Sequence, residues 1–291
     1  MKNVKQGNDC PVVCLDAGHY GKYNRSPANP SLYESEFNWK IQNLLALELE
    51  TYGIKVIKTR SEAGKDMDLV ARGEASKGCD LFLSLHANAS DNPKADYVLG
   101  IYMIDDDCGA IDEQSKQLAK LLSEPVAEIL DTTAVAWNRA SAKDRDGNGH
   151  MDDYYGVLRG AHNVGTAGVI LEHGFYTNPW HAQLLQDDAV ILRLVKAEGK
   201  VLADWFGITE RIGGNPYIIE LRSLKKGAKG ERVAALQAML IAKGYSCGET
   251  GVDGSFGALT DKALRAYQSD MELEVDGSAG PMTMLALLGY R

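Results

Sequence analysis

The first two thirds of the chain alternate short apolar runs with longer stretches in which apolar residues recur every three or four positions. The short runs are continuous, as in strands buried on both faces of a sheet, and they lie at residues 11–15, 54–57, 80–85 and 167–171. The longer stretches have the period of amphipathic helices and lie at residues 36–52, 69–77, 115–130 and 189–206. This alternation predicts an α/β domain, a mostly parallel sheet flanked by helices.

The pattern changes at residues 207–215, a segment with three glycines that ends before Pro216. We therefore predict a large domain over residues 1–207, a linker over residues 208–216 and a small domain over residues 217–291.

The small domain contains an internal repeat with an offset of 23 residues. V-D-G-S-F-G at residues 252–257, followed by Thr260, matches V-D-G-S-A-G at residues 275–280, followed by Thr283. Each Asp-Gly pair predicts a tight turn, and each Thr is placed to cap the helix that follows. With a further helix predicted at residues 231–243, the repeat indicates a small all-α unit of three helices.

Composition and charge narrow the class of protein. Of the 291 residues, 45% are hydrophobic and 24% charged, which is typical of a globular domain with a full core. The net charge of −9 argues against nucleic acid as a partner, because phosphate binding needs clustered Lys and Arg. Residues 217–291 carry nine acidic and nine basic side chains, so the negative charge belongs to the large domain. No apolar run is long enough for membrane insertion. We expect the protein to be a monomer.

The beginning of the chain and its cysteines bear on where the protein is made. Residues 1–9 are polar, and the apolar run after them is short and leads directly into a motif, which favours a first strand over a signal peptide. The five cysteines are scattered and odd in number, so the sequence predicts no disulfide framework. We therefore expect synthesis in a reducing cytoplasm without a signal peptide.

Three of the predicted strands end in a residue that can bind a metal or move a proton. D-A-G-H after the first strand contains His19, S-L-H-A-N at the third contains His86, and L-E-H-G-F at the last contains Glu172. Ligands of open α/β sheets collect beyond the carboxyl ends of the strands, so we expect these side chains to converge. Glu34, at the start of the first helix, is a fourth candidate, because a negative side chain is favoured there.

Two imidazoles and a carboxylate form a standard catalytic zinc set, with the fourth position left for water. A second carboxylate near that water serves a hydrolase as general base and then as general acid. A single histidine after a strand is more often a structural residue, so the prediction depends on the joint pattern. Glu172 strengthens it, because it follows a Val-Ile-Leu run where an unpaired carboxylate is costly without a functional reason.

Six segments resemble the third amidase family of peptidoglycan hydrolases, in that family's order and across residues 10–205. They are D-A-G-H, E-x-x-x-N, T-R, L-x-x-R, D-L-F-L-S-L-H-A-N and L-E-H-G-F-Y-T-N. The resemblance implies a zinc-dependent N-acetylmuramoyl-L-alanine amidase with a mostly parallel sheet. Matched motif by motif, it implies that His19, Glu34 and His86 bind Zn²⁺ and that Glu172 is the catalytic glutamate. The C-terminal segment is similar to the peptidoglycan-binding repeat often appended to such enzymes.

Both resemblances predict peptidoglycan as the partner and hydrolysis of the amide between N-acetylmuramic acid and L-alanine. A peptidase or deacetylase of the same polymer uses the same chemical parts, and only the family match decides against it. A catalytically silent wall-binding protein requires a missing ligand, and none is missing. Without a signal peptide, a phage or prophage endolysin that acts on the bacterial cell wall after release fits best, and an autolysin freed by lysis is second.

Three further segments leave alternatives open. His173 stands where many family members carry a small or apolar residue, and it is either a partner of Glu172 or a packing residue. Residues 20–32 form a polar loop that either shapes the site or simply covers the surface. Residues 144–155 place oxygen ligands like a calcium loop, but position twelve is Tyr155 and not a bidentate Glu, so a solvated loop is favoured. The Tyr-Tyr pair that ends this loop either lines a cleft or packs on the sheet.

Overall fold

The computed structural model describes residues 10–104, 109–145, 149–210 and 223–287. The chain divides into two compact units, Met1–Pro216 and Tyr217–Arg291. The predicted linker at residues 208–216 lies outside the described residues from position 211 onward. Within the described ranges, no helix is both long enough and apolar enough to cross a membrane.

The first unit is built around a mixed sheet, whose six described strands lie in the order β2-β1-β3-β6-β4-β5. The strands are β1 (Val12–Ala17), β2 (Lys55–Lys58), β3 (Leu81–Asn88), β4 (Val98–Tyr102), β5 (Ala134–Trp137) and β6 (Gly168–Phe175). β1, β2, β3 and β6 are parallel, whereas β4 is antiparallel to β6 and parallel to β5. The predicted α/β class is confirmed, and the sequence pattern missed β4 and β5.

Helices cover both faces of this sheet. They are α1 (Glu34–Thr51), α2 (Leu69–Glu74), α3 (Gly109–Leu130), α4 (Gly156–Asn163), α5 (Pro179–Leu184) and α6 (Asp188–Trp205). α1, α3 and α6 pack together on one face. On the other face α4, paired with α2, shares a buried cluster with Phe82 and Ile170. Side chains alternate along a strand, so His86 and Glu172, at even spacing from these two residues, face the same side as α4.

The second unit contains three helices in its described part, α7 (Glu231–Ala242), α8 (Ala258–Asp270) and α9 (Pro281–Leu287). The repeat supplies its polar contacts. Nε2 of Gln237 in α7 donates to Oδ1 of Asp253 at 2.8 Å and to Oγ1 of Thr260 at 3.0 Å. Gln268 in α8 makes the equivalent bonds to the second copy of the repeat.

The predicted capping role of Thr260 is wrong. Thr260 lies inside α8, and the residue that precedes this helix is Gly257, which has no side chain to cap with. The hydroxyl of Thr260 instead accepts from Gln237 of the neighbouring helix. The Thr at position 283 likewise lies inside α9 and accepts from the glutamine of α8. The repeat therefore joins consecutive helices and does not cap them.

Candidate active site

Three of the predicted side chains converge at the carboxyl ends of the parallel strands. One donor atom from each of His19, Glu34 and His86 lies within 4.8 Å of the other two. In the described part of the chain, these three residues form the cluster of His, Cys, Asp or Glu side chains that could hold a metal ion. Nε2 of His19 is 3.1 Å from Oε2 of Glu34, and Nδ1 of His86 is 3.0 Å from Oε1 of the same carboxylate. The two imidazoles thus flank one carboxylate, each facing a different oxygen.

The turn that follows β1 brings His19 to this position. His19 has a left-handed backbone with φ of 60°, which few residues other than glycine and asparagine adopt readily. The preceding Gly18 is needed for a different reason. A Cβ at that position would lie 2.1 Å from Cε1 of His86, so any side chain would displace the imidazole. The D-A-G-H motif therefore combines an unusual turn with a close approach to the second histidine.

Two buried arginines hold this turn by hydrogen bonds to its backbone carbonyls. Nη2 of Arg60 donates to the carbonyl of Ala17 at 2.6 Å. Nη1 of Arg72 donates to the same carbonyl at 3.3 Å, and its Nη2 donates to the carbonyl of His19 at 3.4 Å. Nη1 of Arg72 also lies 3.7 Å from the buried carboxylate of Asp16. The arginines of the T-R and L-x-x-R motifs therefore support the backbone that carries the first histidine.

The carboxylate of Glu34 is almost fully buried and surrounded by donors. Nδ2 of Asn24 donates to its Oε2 at 2.6 Å, and Nδ2 of Asn38 donates to its Oε1 at 3.2 Å. Burial alone would raise the pKa of Glu34. The hydrogen bonds and charges of His19 and His86 outweigh burial and hold that pKa well below its usual range, so the group is ionised.

His86 experiences the complementary effect. Burial opposes its protonation, but the hydrogen bond to Glu34 and the charges of Glu172, Glu34 and Asp16 raise the pKa of His86 to about 9. In the metal-free protein these carboxylates therefore favour a positive charge on the imidazole of His86. The same field favours a bound cation.

Glu172 lies beside His86 on the neighbouring strand, since the two residues are Cα partners of β3 and β6. Its Oε2 is buried and has no hydrogen-bond partner within the described residues. Burial raises the pKa of Glu172 to about 7. This value already includes the charges of His86 and His173, which lower the pKa, and the charge of Glu34, which raises it. A carboxyl group with a pKa near neutrality can both accept and donate a proton at physiological pH.

An aromatic side chain packs on the first histidine of the site. The ring of Tyr23 stacks on His19, with centroids 5.3 Å apart and planes 11° from parallel. Burial raises the pKa of Tyr155 and of Tyr176. The charge of Glu172 adds to the rise for Tyr155, and the charges of Glu34 and Glu172 add to it for Tyr176. The polar loop at residues 20–32 therefore contacts the site. Part of the calcium-like segment, residues 146–148, lies outside the described residues.

Sequence reasoning missed two polar residues that contact the site or its support. Asn24 donates to Glu34 and lies 3.1 Å from Nε2 of His19, but nothing in the loop sequence distinguishes it from neighbouring polar residues. Glu198, in α6, is fully buried and lies 3.0 Å from Nε2 of His173. Its signal was readable, because it interrupts the apolar stripe that includes Leu194 and continues through α6.

A carboxylate between two imidazoles, beside a second carboxylate on an α/β sheet, is the donor arrangement of metal-dependent hydrolases. The sequence model of the N-acetylmuramoyl-L-alanine amidase family matches residues 13–202, and the chain belongs to this family. A second model, described as a putative peptidoglycan binding domain, matches residues 229–287. Both predicted resemblances are confirmed.

Individual relatives agree with this family. The chain is 48% identical over 64 residues to the N-acetylmuramoyl-L-alanine amidase CwlL of Bacillus licheniformis, a match that covers 22% of this chain and 18% of the relative. A probable N-acetylmuramoyl-L-alanine amidase of the same species is 42% identical over 64 residues, with the same coverage. The chain thus matches less than a fifth of the length of these curated relatives.

Solved structures of similar proteins share the fold of the first unit. The catalytic domain of CwlV, an N-acetylmuramoyl-L-alanine amidase from Bacillus (Paenibacillus) polymyxa var. colistinus, superposes with a TM-score of 0.54 at 20% identity, covering 68% of this chain and 99% of that one. The N-acetylmuramoyl-L-alanine amidase from Clostridium difficile 630 superposes with a TM-score of 0.55 at 20% identity, covering 69% and 98%. At this identity the likeness establishes the fold.

Proposed function

We propose that the chain is a zinc-dependent N-acetylmuramoyl-L-alanine amidase, which hydrolyses the amide between the lactyl group of N-acetylmuramic acid and L-alanine in peptidoglycan. One observation carries the proposal: the donor atoms of His19, Glu34 and His86 converge beside Glu172. Membership of the amidase family selects this reaction over those of a peptidase or deacetylase with similar chemistry.

The three donors fit zinc. Zinc binds nitrogen and carboxylate oxygen at about 2.0–2.2 Å in tetrahedral sites, which requires donors about 3.3 Å apart. The nitrogens of His19 and His86 lie 3.1 Å and 3.0 Å from different oxygens of Glu34, and one donor atom from each of the three residues lies within 4.8 Å of the others, so His19, Glu34 and His86 would have to draw closer together to share one ion. Three protein ligands also leave one position for water or substrate, as in catalytic sites.

Zinc at this position would supply Lewis-acid polarisation of the scissile carbonyl and activation of the attacking water. Glu172 is the general base in our proposal, and it accepts a proton as water attacks the carbonyl carbon. The carbon–nitrogen bond then breaks, and Glu172 returns the proton to the departing nitrogen of L-alanine. The products are a free lactyl carboxylate on the glycan and a stem peptide with a free amino group. The raised pKa of Glu172, about 7, suits both transfers.

The second unit has the complementary task of holding the catalyst on an insoluble polymer. We assign residues 1–207 to the amidase domain, residues 208–216 to a linker and residues 217–291 to peptidoglycan binding, supported by the family match at residues 229–287. A catalytic domain joined to a wall-binding domain suits an enzyme that acts on the bacterial cell wall after release, and we propose the role of a phage or prophage endolysin.

Mass spectrometry of purified muropeptides after digestion tests the reaction. An amidase yields glycan fragments with a free lactyl carboxylate and stem peptides that begin with L-alanine. Cleavage within the stem peptide would indicate a peptidase, and loss of acetyl groups from intact muropeptides would indicate a deacetylase. Unchanged muropeptides after incubation with zinc-loaded protein would indicate a silent wall-binding protein.

A further inference from the structure

Two ionisable side chains that the proposed reaction does not use form a completely buried pair in the first unit. They are His173 in β6 and Glu198 in α6, each with 0% exposure, and Nε2 of the imidazole lies 3.0 Å from Oε1 of the carboxylate. Burial of such a pair carries a desolvation cost that a single contact between the two groups offsets only in part. Within the described residues, Oε2 of Glu198 has no hydrogen-bond partner, which adds to that cost. A pair this costly is a candidate for a functional role.

The other nitrogen of His173 shows where the pair acts. His173 follows Glu172 directly in β6, so its side chain points to the opposite face of the sheet. There its ring packs against Phe37 of α1, with ring centroids 5.4 Å apart. Nδ1 of His173 lies 2.8 Å from the carbonyl oxygen of His86. A carbonyl oxygen can only accept, so Nδ1 carries the proton and donates it.

This contact lies where the pairing of β3 with β6 is irregular. His86 pairs with Glu172 and Asn88 with Phe175, so two steps along β3 match three along β6. An extra residue interrupts the regular ladder of hydrogen bonds. The imidazole of His173 thus binds the backbone of His86 at the one place in this strand pair where the register shifts.

The bond also reaches the other side of the site through a single peptide group. The carbonyl of His86 and the N–H of Ala87 belong to one planar peptide unit. Nδ1 of His173 donates to the carbonyl oxygen of His86, and the N–H of Ala87 donates to Oε1 of Glu34 at 3.3 Å. A continuous chain of hydrogen bonds therefore runs from Glu198 through His173 and this peptide to the carboxylate between the two imidazoles. Hydrogen bonds in such a series reinforce one another.

We propose that Glu198 and His173 are positioning residues of the metal site, which fix the His86–Ala87 peptide and through it the donor atoms of His86 and Glu34. The inference rests on the proposed function, because it assigns these two residues an effect on zinc binding. Neither residue touches the substrate. The alternative is that the pair serves only to pack β6 against α1 and α6.

Two double variants separate positioning from packing. Both carry Glu198→Gln, whose amide can donate to Nε2 of a neutral His173 without leaving a buried charge. In this background, His173→Asn places its amide nitrogen near the position of Nδ1 and keeps a donor for the His86 carbonyl. His173→Gln instead extends toward position 198 and loses that donor. The two substitutions remove the same ring, so a packing role predicts similar effects.

The readout is zinc affinity of the metal-stripped full chain, measured by competition with a chromophoric chelator, with thermal unfolding of each metal-free protein as the folding control. Loss of an outer-shell hydrogen bond weakens metal binding by roughly 10–100-fold. We expect that loss for His173→Gln in the Glu198→Gln background, and an affinity close to that of Glu198→Gln alone for His173→Asn. Equal affinities for the two double variants, whether both weakened or both unchanged, would overturn the proposal.

A second measurement needs no substitution. In the metal-free parent protein, nitrogen-edited NMR should detect a proton on Nδ1 of His173 that exchanges slowly with water, because it is buried and bonded to a carbonyl. Rapid exchange, or a proton only on Nε2, would also overturn the proposal. If the parent protein binds no zinc at all, the proposed function fails, and this NMR result still tests the positioning bond separately.

Discussion

Gly18 leaves the space that the imidazole of His86 occupies. We predict that Gly18→Ala weakens zinc binding, because the new Cβ would lie 2.1 Å from Cε1 of His86 and the ring would have to move away from Glu34. A misplaced ligand costs roughly tenfold or more in metal affinity. Chelator competition measures the effect.

Gly64→Ala is the matched control for this prediction. Nothing lies within 4 Å of a Cβ built at Gly64, and its backbone is not in the left-handed region, so zinc affinity should be unchanged. Parental zinc affinity in the Gly18→Ala variant would contradict the assignment of His86 as a ligand.

Glu172 supplies a second prediction at this scale, which separates a base from a ligand. Glu172→Gln should retain zinc while amidase activity falls by at least ~100-fold, the usual contribution of a positioned acid–base group. The amide preserves shape but cannot accept the proton from water. His86→Ala is the comparison, and it should lose most of its zinc. A Glu172→Gln protein that lost zinc and activity together would make Glu172 a ligand, and one that kept near-parental activity would exclude it as the base.

Individual site residues were predictable to different degrees. His19, His86 and Glu172 follow apolar runs, and parallel strands bring such endings to one edge of the sheet. The converging donors include these two histidines and Glu34. Asn24 was not predictable, because its contact depends on a loop whose backbone has φ of 55° at that residue.

The end of β6 is held in place by α5. Nδ1 of His181 in α5 accepts from the N–H of Phe175 at 3.0 Å, and its Nε2 lies 3.0 Å from Oδ1 of Asp96. Because Nδ1 accepts, the neutral imidazole must carry its proton on Nε2, the ring nitrogen that lies close to the carboxylate. The buried ring thus joins the last strand to the loop before β4.

Burial lowers the pKa of His181, which predicts a pH-dependent stability. The unfolded chain binds this proton with a pKa of about 6.5, more readily than the folded protein does. The contribution is therefore complete above that pH and is lost as the pH falls below it through the lowered pKa of the folded state. In urea unfolding, the parent protein should lose more stability than His181→Asn when the pH is lowered from about 6.5 to about 5. This window begins at the reference pKa of about 6.5 for histidine.

His181→Asn serves as the comparison because its amide oxygen can accept from the N–H of Phe175 but does not titrate. The difference between the two proteins removes the contributions of other titrating groups. Equal pH dependence of the unfolding free energy in both proteins would contradict the role of His181.

The strands that the sequence pattern missed have physical reasons for being weak signals. β4 contains Gly100, where a Cβ would lie 2.4 Å from the carbonyl oxygen of Ala119 in α3. The close approach of the helix requires glycine here, and this glycine interrupts the apolar run by which a buried strand is recognised. β5 is a four-residue edge strand with its first two residues exposed. The direction of β4 also follows from chain length, because residues 89–97 are too few for the crossover that a parallel strand requires.

Each of the two units has its own core. The second unit has one buried cluster, which includes Leu236, Leu240, Phe256, Leu264 and Tyr267. The hydrogen bonds of Gln237 and Gln268 to the two copies of the repeat link its helices. We therefore predict that residues 217–291 fold alone and sediment with insoluble peptidoglycan.

Residues 1–207 alone are the control for that pull-down, and they should sediment less than the full chain. If the 217–291 fragment stayed in the supernatant while the full chain sedimented, the binding role would have to move to the first unit. A cooperative thermal transition of the fragment would show that its failure to bind was not a failure to fold.

The two-part organisation was largely readable from the sequence, because the α/β alternation stops and a repeat with a different period begins. The role of the repeat was not. Thr260 has the sequence context of a cap, but it pairs with Gln237 across two helices, and no local pattern reveals a contact 23 positions away.

We propose that this chain cuts the bond between N-acetylmuramic acid and L-alanine with a zinc ion held by His19, Glu34 and His86. Metal-stripped protein should be incubated with purified muropeptides before and after one equivalent of zinc is restored, and the products weighed by mass spectrometry. We predict intact muropeptides without zinc, and free lactyl carboxylates with stem peptides beginning at L-alanine once zinc is restored. Equal cleavage with and without zinc, or cleavage at another bond, would contradict the account.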